Sequence, residues 1–341
     1  MNAVRTEKMH NHCRDSIHAV HKIGTIIVGT QFIVSTEGGI SLYQELINTL
    51  SKTEVLLEER MANHTSFRIG GPADLFCAVN SKEDLKKILG YTKEKQIPLL
   101  IVGNGSNLLV SDKGFRGIVL KLGEAFSSLS VEGSSIIAGA AVDLRRLCRF
   151  ALENSLTGME WAYGIPGTLA GAVFMNAGAY GGEFSQILES TTYWEEDFAE
   201  KEISNQEHDF SYRTSVFQKE KKNAIILSAK VKLSQGNPAE IEAKMKDYME
   251  RRITKQPLNL PSAGSVFRRP ENAYVGQMVE ELGLKGFSIG GAQVSEKHAG
   301  FIVNTGKASC EDVKHLIQYI QRKVEEQYGI KLKTEVREVG E

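Results

Sequence analysis

The stretch GIPGTLAGAVFMNAGAYGG, residues 164–182, carries six glycines in nineteen positions, and Asn176 is its only strongly polar side chain. A flexible linker would be rich in Ser, Lys or Glu and would lack Val173, Phe174 and Met175. A core strand would avoid so many glycines, because each raises the entropic cost of ordering the backbone. The stretch therefore reads as buried, bare backbone that something large approaches closely, with the glycines as clearance.

The rest of the chain gives that backbone a soluble setting. A length of 341 residues suits two domains at about 150 residues each. Hydrophobic content of 41% and charged content of 24% are those of a globular protein with a sizeable core. A net charge of −1 creates no field that would gather nucleic acid or an anionic membrane. Cys13, Cys77, Cys148 and Cys310 form no CxxC pair, which suggests a reduced, cytoplasmic protein with free thiols. Four histidines stand near Cys13 in residues 1–22, but without HxxxH-plus-carboxylate spacing, so no metal is expected. The following GTIIVGTQFIV is too short to span a bilayer and lacks a signal-peptide cleavage site. Residues 1–40 are expected to be a disordered extension or the product of a start site placed too far upstream, with the fold beginning near Ser41.

From Ser41 the signals become regular. Ser41 is a candidate cap for the helical SLYQELINTL, and Ser81 with Asp84 caps a helix that must stop before Pro98. IPLLIVGNGSNLLVS reads as strand, glycine turn and strand, and VEGSSIIAGAAV as a hairpin leading into the helix LRRLCRFALENSL. Strands follow in ILESTTYW and NAIILSAKVKL. Asn237, Pro238 and Glu240 start a helix ending before Pro257, with Glu240 expected to reach back to the cap. Ser309 and Asp312 cap a last helix that Gly329 ends, and IKLKTEVREVG finishes as a strand. The whole is α+β, with a domain boundary at SQGNP dividing residues 41–233 from 234–341.

Two turns stand out. One is GNGSN, residues Gly103, Asn104, Gly105, Ser106 and Asn107; the other is GIPGT, residues Gly164, Ile165, Pro166, Gly167 and Thr168. Bare backbone lets N–H groups point at phosphate oxygens, and Ser106 and Thr168 add hydroxyls. GNGSN fails the Rossmann pattern, since no GxGxxG is present and a strand follows it, and it lacks the lysine of a P-loop. A lone glycine turn is more often just a tight turn. Two of them, each with a hydroxyl, point to a diphosphate ligand between them and a flat ring system nearby.

NHTSFRIGGPAD, IVGNGSNLLVSDKGFRGIV, GMEWAYGIPGTLAGAVFMNAGAYGG, FSYRTSVF, PSAGSVFRRP and GGAQVSEKHAGFIVN occur in that order. Together they resemble the UDP-N-acetylenolpyruvoylglucosamine reductase family over about residues 42–340. The resemblance implies a two-subdomain FAD-binding region of the PCMH (vanillyl-alcohol-oxidase-like) type over 41–233 and a smaller α+β substrate-binding domain over 234–341. The short stretch from Arg213 to Ser265 leaves no room for a substrate-capping tyrosine loop, as in the family's second structural type. The implied reaction converts UDP-N-acetylglucosamine enolpyruvate to UDP-N-acetylmuramate for peptidoglycan. NADPH reduces FAD, and the reduced flavin then passes a hydride to the enolpyruvyl β-carbon before the α-carbon is protonated. Neither turn offers a histidine for a covalent tether, so FAD should be non-covalent. No nucleic acid, membrane or obligate protein partner is implied.

The resemblance also assigns roles. Arg213 in SYRTS binds the substrate carboxylate and stabilises the enolate, Ser265 in AGSVF donates the proton, and Glu335 in TEVRE assists at the reacting carboxylate. Arg68 and the two turns hold FAD. Lys255, with Arg251 and Arg252 near it, offers charge to the UDP diphosphate, and His298 a polar substrate contact. Arg269 departs from an asparagine common in the family. Taken singly, Arg213 reads as a surface arginine, Ser265 as a turn hydroxyl, and Glu335 as part of a solvated strand face with Lys333 and Arg337. Two rivals share the glycine turns: another FAD oxidoreductase of the same fold, and a non-enzymatic flavin- or nucleotide-binding module.

Overall fold

The structure, a computed structural model, describes Thr25–Ile26 and residues 40–341. The expectations for residues 1–39, including the histidine tract and Cys13, lie outside the described residues apart from Thr25–Ile26. That pair runs antiparallel against Leu56 and Val55.

Two five-stranded sheets form the larger part. The first runs in the order Thr25–Ile26, Thr53–Arg60, Pro72–Val79, Phe115–Leu122, Leu99–Val102. Its last two pairings are parallel, and the Lys82–Lys95 helix makes the crossover. The second is antiparallel throughout, in the order Glu200–Ser204, Leu188–Trp194, Ile225–Lys232, Ser135–Gly139, Leu129–Glu132. A three-stranded sheet, Ser288–Ile289, Ala292–Val294 and Ile302–Asn304, packs with the Cys310–Tyr328 helix in the C-terminal part. No helix among the described residues is long and apolar enough to cross a membrane.

The helix ends follow local chemistry. Ser309 and Asp312 exchange reciprocal bonds of 3.0 Å, and Gly329 closes the helix at φ 68°. Val313, Leu316, Ile317, Ile320 and Val324 then bury one face. Asn237 caps the Pro238–Lys255 helix through Ala239 N at 3.0 Å, without the expected return bond from Glu240. The first long helix is Ile40–Thr49, so Ser41 lies inside its first turn and does not precede it as a cap.

The division expected at residue 234 falls within a packed unit. Ile241 and Met245 of the Pro238–Lys255 helix join Met159, Trp161 and Leu233 in the core of the antiparallel sheet. On packing grounds we place the division after Lys255. The C-terminal core also takes in Phe67, Ile69 and Leu109 from the first part, so the two are joined by shared apolar contacts.

The final strand is shorter than IKLKTEVREVG suggests. Thr334 bridges Phe267, and Glu335 N donates to Val266 O at 2.7 Å. Arg337 N then donates to Asn107 O at 3.0 Å, and Arg337–Val339 runs parallel to Leu108–Val110. One extended segment thus changes partners, tying the C-terminal core to the strand after the GNGSN turn.

Asp84 shows how tightly the first sheet is keyed to its helix. Its fully buried carboxylate accepts from Lys52 N at 2.7 Å, Ser51 N at 3.0 Å and Thr53 Oγ1 at 2.9 Å. Burial pushes this carboxyl up, but the bonds from Lys52, Thr53 and Ser51 outweigh it and hold it below its usual range. A depressed folded-state value means stability that is full above the unfolded carboxyl range and is lost as pH falls through the folded one. Asp84→Asn should cost about 2 kcal/mol at neutral pH, and the gap to the unsubstituted protein should narrow below pH ~3.9. Urea unfolding at pH 7 and pH 3 measures both.

Candidate active site

A cleft of about 1230 Å³ runs between the two large sheets and the C-terminal part. It is larger than a typical small-ligand pocket of about 300–1000 Å³ and has room for two molecules. Its walls bring together Arg68, the whole GNGSN turn, Ile165 to Thr168, Arg213, Ser265 and Glu335.

The two glycine turns meet face to face. A Cβ added at Gly103 would come within 2.5 Å of Thr168 Oγ1. Gly105 sits at φ 59°, and a Cβ there would lie 2.1 Å from His64 O. In GNGSN the carbonyls of Gly105 and Asn107 accept from Ser66 N and Arg337 N. The amides of Asn104, Gly105, Ser106 and Asn107 find no protein acceptor among the described residues. Asp143 is held aside by Asn104 Nδ2 at 2.6 Å. Across from the turn, Gly167 is open: the atoms nearest an added Cβ are Ile165 Cγ2 and Leu144 Cδ1 at 3.9 Å and Ser106 Oγ at 4.0 Å. Unpaired amides on bare backbone are the donor set a diphosphate needs, so these residues fit the diphosphate of FAD.

The glycines of the opening stretch divide into two groups. Gly164 does not line the cleft; its missing side chain makes way for Arg252 Cδ, 2.7 Å from where a Cβ would be. Gly182 makes way for the Trp161 ring at 2.3 Å, and Gly178 for Gly182 O at 2.6 Å. The reading of all six as clearance for a ligand is thus corrected: three of them, Gly164, Gly178 and Gly182, clear protein neighbours, while Gly167 opens to the cleft. The apolar middle is a short helix, Leu169–Phe174, capped by Thr168 Oγ1, with Leu169, Ala172 and Val173 in the core.

At the far wall, Arg213 Nε donates to Glu335 Oε1 at 2.9 Å, both side chains being largely buried. One terminal nitrogen donates to Gly178 O at 2.9 Å and the other to Asn176 O at 3.4 Å. A guanidinium has five N–H groups, so one on each terminal nitrogen is left for a ligand. Tyr212 OH donates to Glu335 Oε2 at 3.4 Å and accepts from Arg269 N at 3.5 Å. Burial, then the Glu335 charge, pushes the Tyr212 phenol up. Ser265 is exposed to the cleft, one residue before Val266, whose carbonyl takes the Glu335 amide. Glu335 is therefore not on a solvated face: the change of strand partner turns it inward.

Two of the expected residues stand elsewhere. Lys255 is exposed at the last turn of its helix and does not line the cleft. Arg252 does line it, with Nε buried and unpartnered, beside Gln256, whose Oε1 is also buried and unpartnered. His298 lies off the cleft, its Nδ1 accepting from Gly300 N at 3.1 Å and its ring 4.9 Å from Phe301. Arg337, which the sequence offered only as a strand-face neighbour of Glu335, lines the cleft with its guanidinium 4.7 Å over the Phe174 ring. The period-2 spacing from Glu335 was the available signal for it.

Comparison with known proteins relates both parts of the chain to one family. Residues 73–197 match the family model for an FAD binding domain. Residues 256–339 match the model for the UDP-N-acetylenolpyruvoylglucosamine reductase C-terminal domain. The chain is 48% identical over 300 residues to UDP-N-acetylenolpyruvoylglucosamine reductase of Caldanaerobacter subterraneus subsp. tengcongensis, covering 88% of this chain and 98% of that one. The enzyme of the same name from Clostridioides difficile is 45% identical over 300 residues, with the same coverage. The crystal structure of UDP-N-acetylenolpyruvylglucosamine reductase from Thermus caldophilus superposes with a TM-score of 0.72 at 31% identity, covering 84% of this chain and 98% of that one.

Gly167 provides a test of the diphosphate site. Gly167→Val adds bulk where no protein atom is in the way, so the apoprotein should unfold at nearly the same temperature. FAD affinity should fall about tenfold or more, the effect of roughly 1.4 kcal/mol or greater. Flavin fluorescence titration and thermal unfolding of the apoprotein separate the two effects.

Proposed function

The chain belongs to the UDP-N-acetylenolpyruvoylglucosamine reductase family, and we propose that its cleft reduces UDP-N-acetylglucosamine enolpyruvate with Arg213, Ser265 and Glu335 as the reacting trio. The enzyme is an FAD-dependent oxidoreductase of peptidoglycan precursor synthesis, with UDP-N-acetylmuramate as its product. The observation that carries the reading is that three distant parts of the chain place Arg213, Ser265 and Glu335 on one cleft, beside turns suited to FAD.

FAD, when bound, supplies the two-electron reduction at the enolpyruvyl β-carbon, with NADPH as its electron source. Adding a hydride equivalent there leaves negative charge on the α-carbon, shared with the carboxylate. Arg213 holds that carboxylate with the N–H groups that Glu335, Asn176 and Gly178 leave available, and stays charged at any working pH. Its attraction grows as charge builds, which favours the transition state over the ground state. Glu335 fixes the guanidinium through Nε and prevents it from rotating off the substrate. Ser265 gives its hydroxyl proton to the α-carbon, and the Arg213 charge stabilises the alkoxide that results.

Arg252, with no carboxylate partner among the described residues, suits the nucleotide diphosphate better than Lys255. Residues Asn104 to Asn107 and Gly167 hold the FAD diphosphate, and Arg68 lines the same cleft.

The purified protein should be yellow. NADPH should bleach it, and the enolpyruvyl substrate should restore the colour, an outcome that neither a bare nucleotide module nor an oxidoreductase for another substrate would give. Ser265→Ala should keep bleaching by NADPH and slow the restoration about 10³-fold, measured by stopped flow. Equal loss of both steps would remove Ser265 from its role. Arg213→Lys, which replaces the planar fork by a point charge, should slow the restoration about 100-fold or more with bleaching unaffected.

A further inference from the structure

Outside this trio, Asn176 is a fully buried polar residue that does not line the cleft. We propose that Asn176 is a positioning residue, which holds the Arg213 turn in the one conformation that aims the guanidinium at the substrate carboxylate. The proposal rests on the reductase reading above and deepens it.

Arg213 stands at φ 55°, in the left-handed region that favours glycine. A long side chain there persists only where its surroundings impose it. The turn around it is tight: Ser211 N donates to Thr214 O at 3.1 Å, and Thr214 N returns to Ser211 O at 3.0 Å. After Arg213, the turn is moored to Phe174 O by Ser215 Oγ at 2.8 Å and Gln218 Nε2 at 2.7 Å. Before Arg213, the mooring is Asn176, whose Nδ2 donates to Ser211 O at 3.2 Å. The strained residue is thus stretched between two anchors on one short stretch of chain.

Asn176 is fitted to this work by its side-chain chemistry. It is fully buried, with Oδ1 accepting from Ser185 N at 2.9 Å while Nδ2 serves Ser211. Only a carboxamide of this length both donates and accepts, and asparagine tolerates the left-handed conformation, φ 42°, that it adopts. Its backbone carbonyl also accepts from the Arg213 guanidinium at 3.4 Å. One residue therefore holds the turn by its side chain and the guanidinium by its main chain. A polar side chain in this apolar stretch is explained without contact to any ligand.

The test uses the flavin-loaded enzyme and two variants. Asn176→Asp is isosteric and keeps the acceptor for Ser185 N while losing the donor to Ser211 O. Asn176→Gly removes both bonds while easing the backbone conformation. In single-turnover stopped flow, both should take electrons from NADPH at the unsubstituted rate and retain FAD. Reoxidation by the enolpyruvyl substrate should slow by about 100-fold, the scale of a displacement of about 1 Å in a catalytic group. A purely structural role would move both half-reactions or the FAD content together. Unchanged reoxidation in both variants, equal slowing of both half-reactions, or loss of FAD from both variants would each overturn the proposal. The unsubstituted enzyme in the same experiment reports separately on the reductase reading, because it must itself be reoxidised by the substrate.

Discussion

The site depends on one extended segment that changes partners. Between Glu335, whose amide bonds to Val266 O, and Arg337, whose amide bonds to Asn107 O, the chain leaves the C-terminal core and joins the strand after GNGSN. That step sets the Glu335 carboxylate on Arg213 and Arg337 over Phe174. It also adds a backbone acceptor bond to the glycine turn. Backbone bonds of this kind are close to obligatory where the chain is buried, so the segment has little freedom to settle elsewhere. The C-terminal part is therefore not a lid resting on a finished site, because one wall of the cleft is made from its last residues.

Around that segment, bare backbone serves two purposes. Gly103 and Gly105 let GNGSN fold close against Thr168 and His64, and the turn lines the cleft with amides that have no protein acceptor among the described residues. Gly164 and Gly182 let Arg252 and Trp161 pack against the chain itself. The ligand-facing surface is the consequence of both. Protein neighbours fill the space beside Gly164, Gly178 and Gly182, whereas Gly167 is left open on the wall of the cleft.

Much of the fold was legible because it is governed by local rules. The caps at Ser81, Asn237 and Ser309, the stop at Gly329 and the hairpin of residues 129–139 each follow from a few neighbouring residues. What failed was non-local. Strand alternation alone makes Glu335 a solvated-face residue, because it cannot report that the strand changes partner within two residues; only the resemblance assigns it to the site. Lys255 was preferred to Arg252, although one turn of helix decides which of them faces the cleft. Asn176 was noticed as the odd polar residue of an apolar stretch, but its partners at Ser185 and Ser211 come from the chain beyond it. The proposed trio came into view through resemblance, since an arginine, a serine and a glutamate this far apart carry no local signature.

The cations of the cleft differ in a way that bears on what binds there. Arg213 has a carboxylate partner in Glu335, so its charge is tolerated without a ligand. Arg252 and Arg337 have no such partner among the described residues, and burial lowers the pKa of both. Arg252 keeps its Nε buried without a partner, while Arg337 stays exposed at the rim, so both leave positive charge available to the cleft. An anionic ligand would gain charge-assisted contacts from them that Arg213, already paired with Glu335, offers only in part. Neutral analogues of the same shape would forgo that gain.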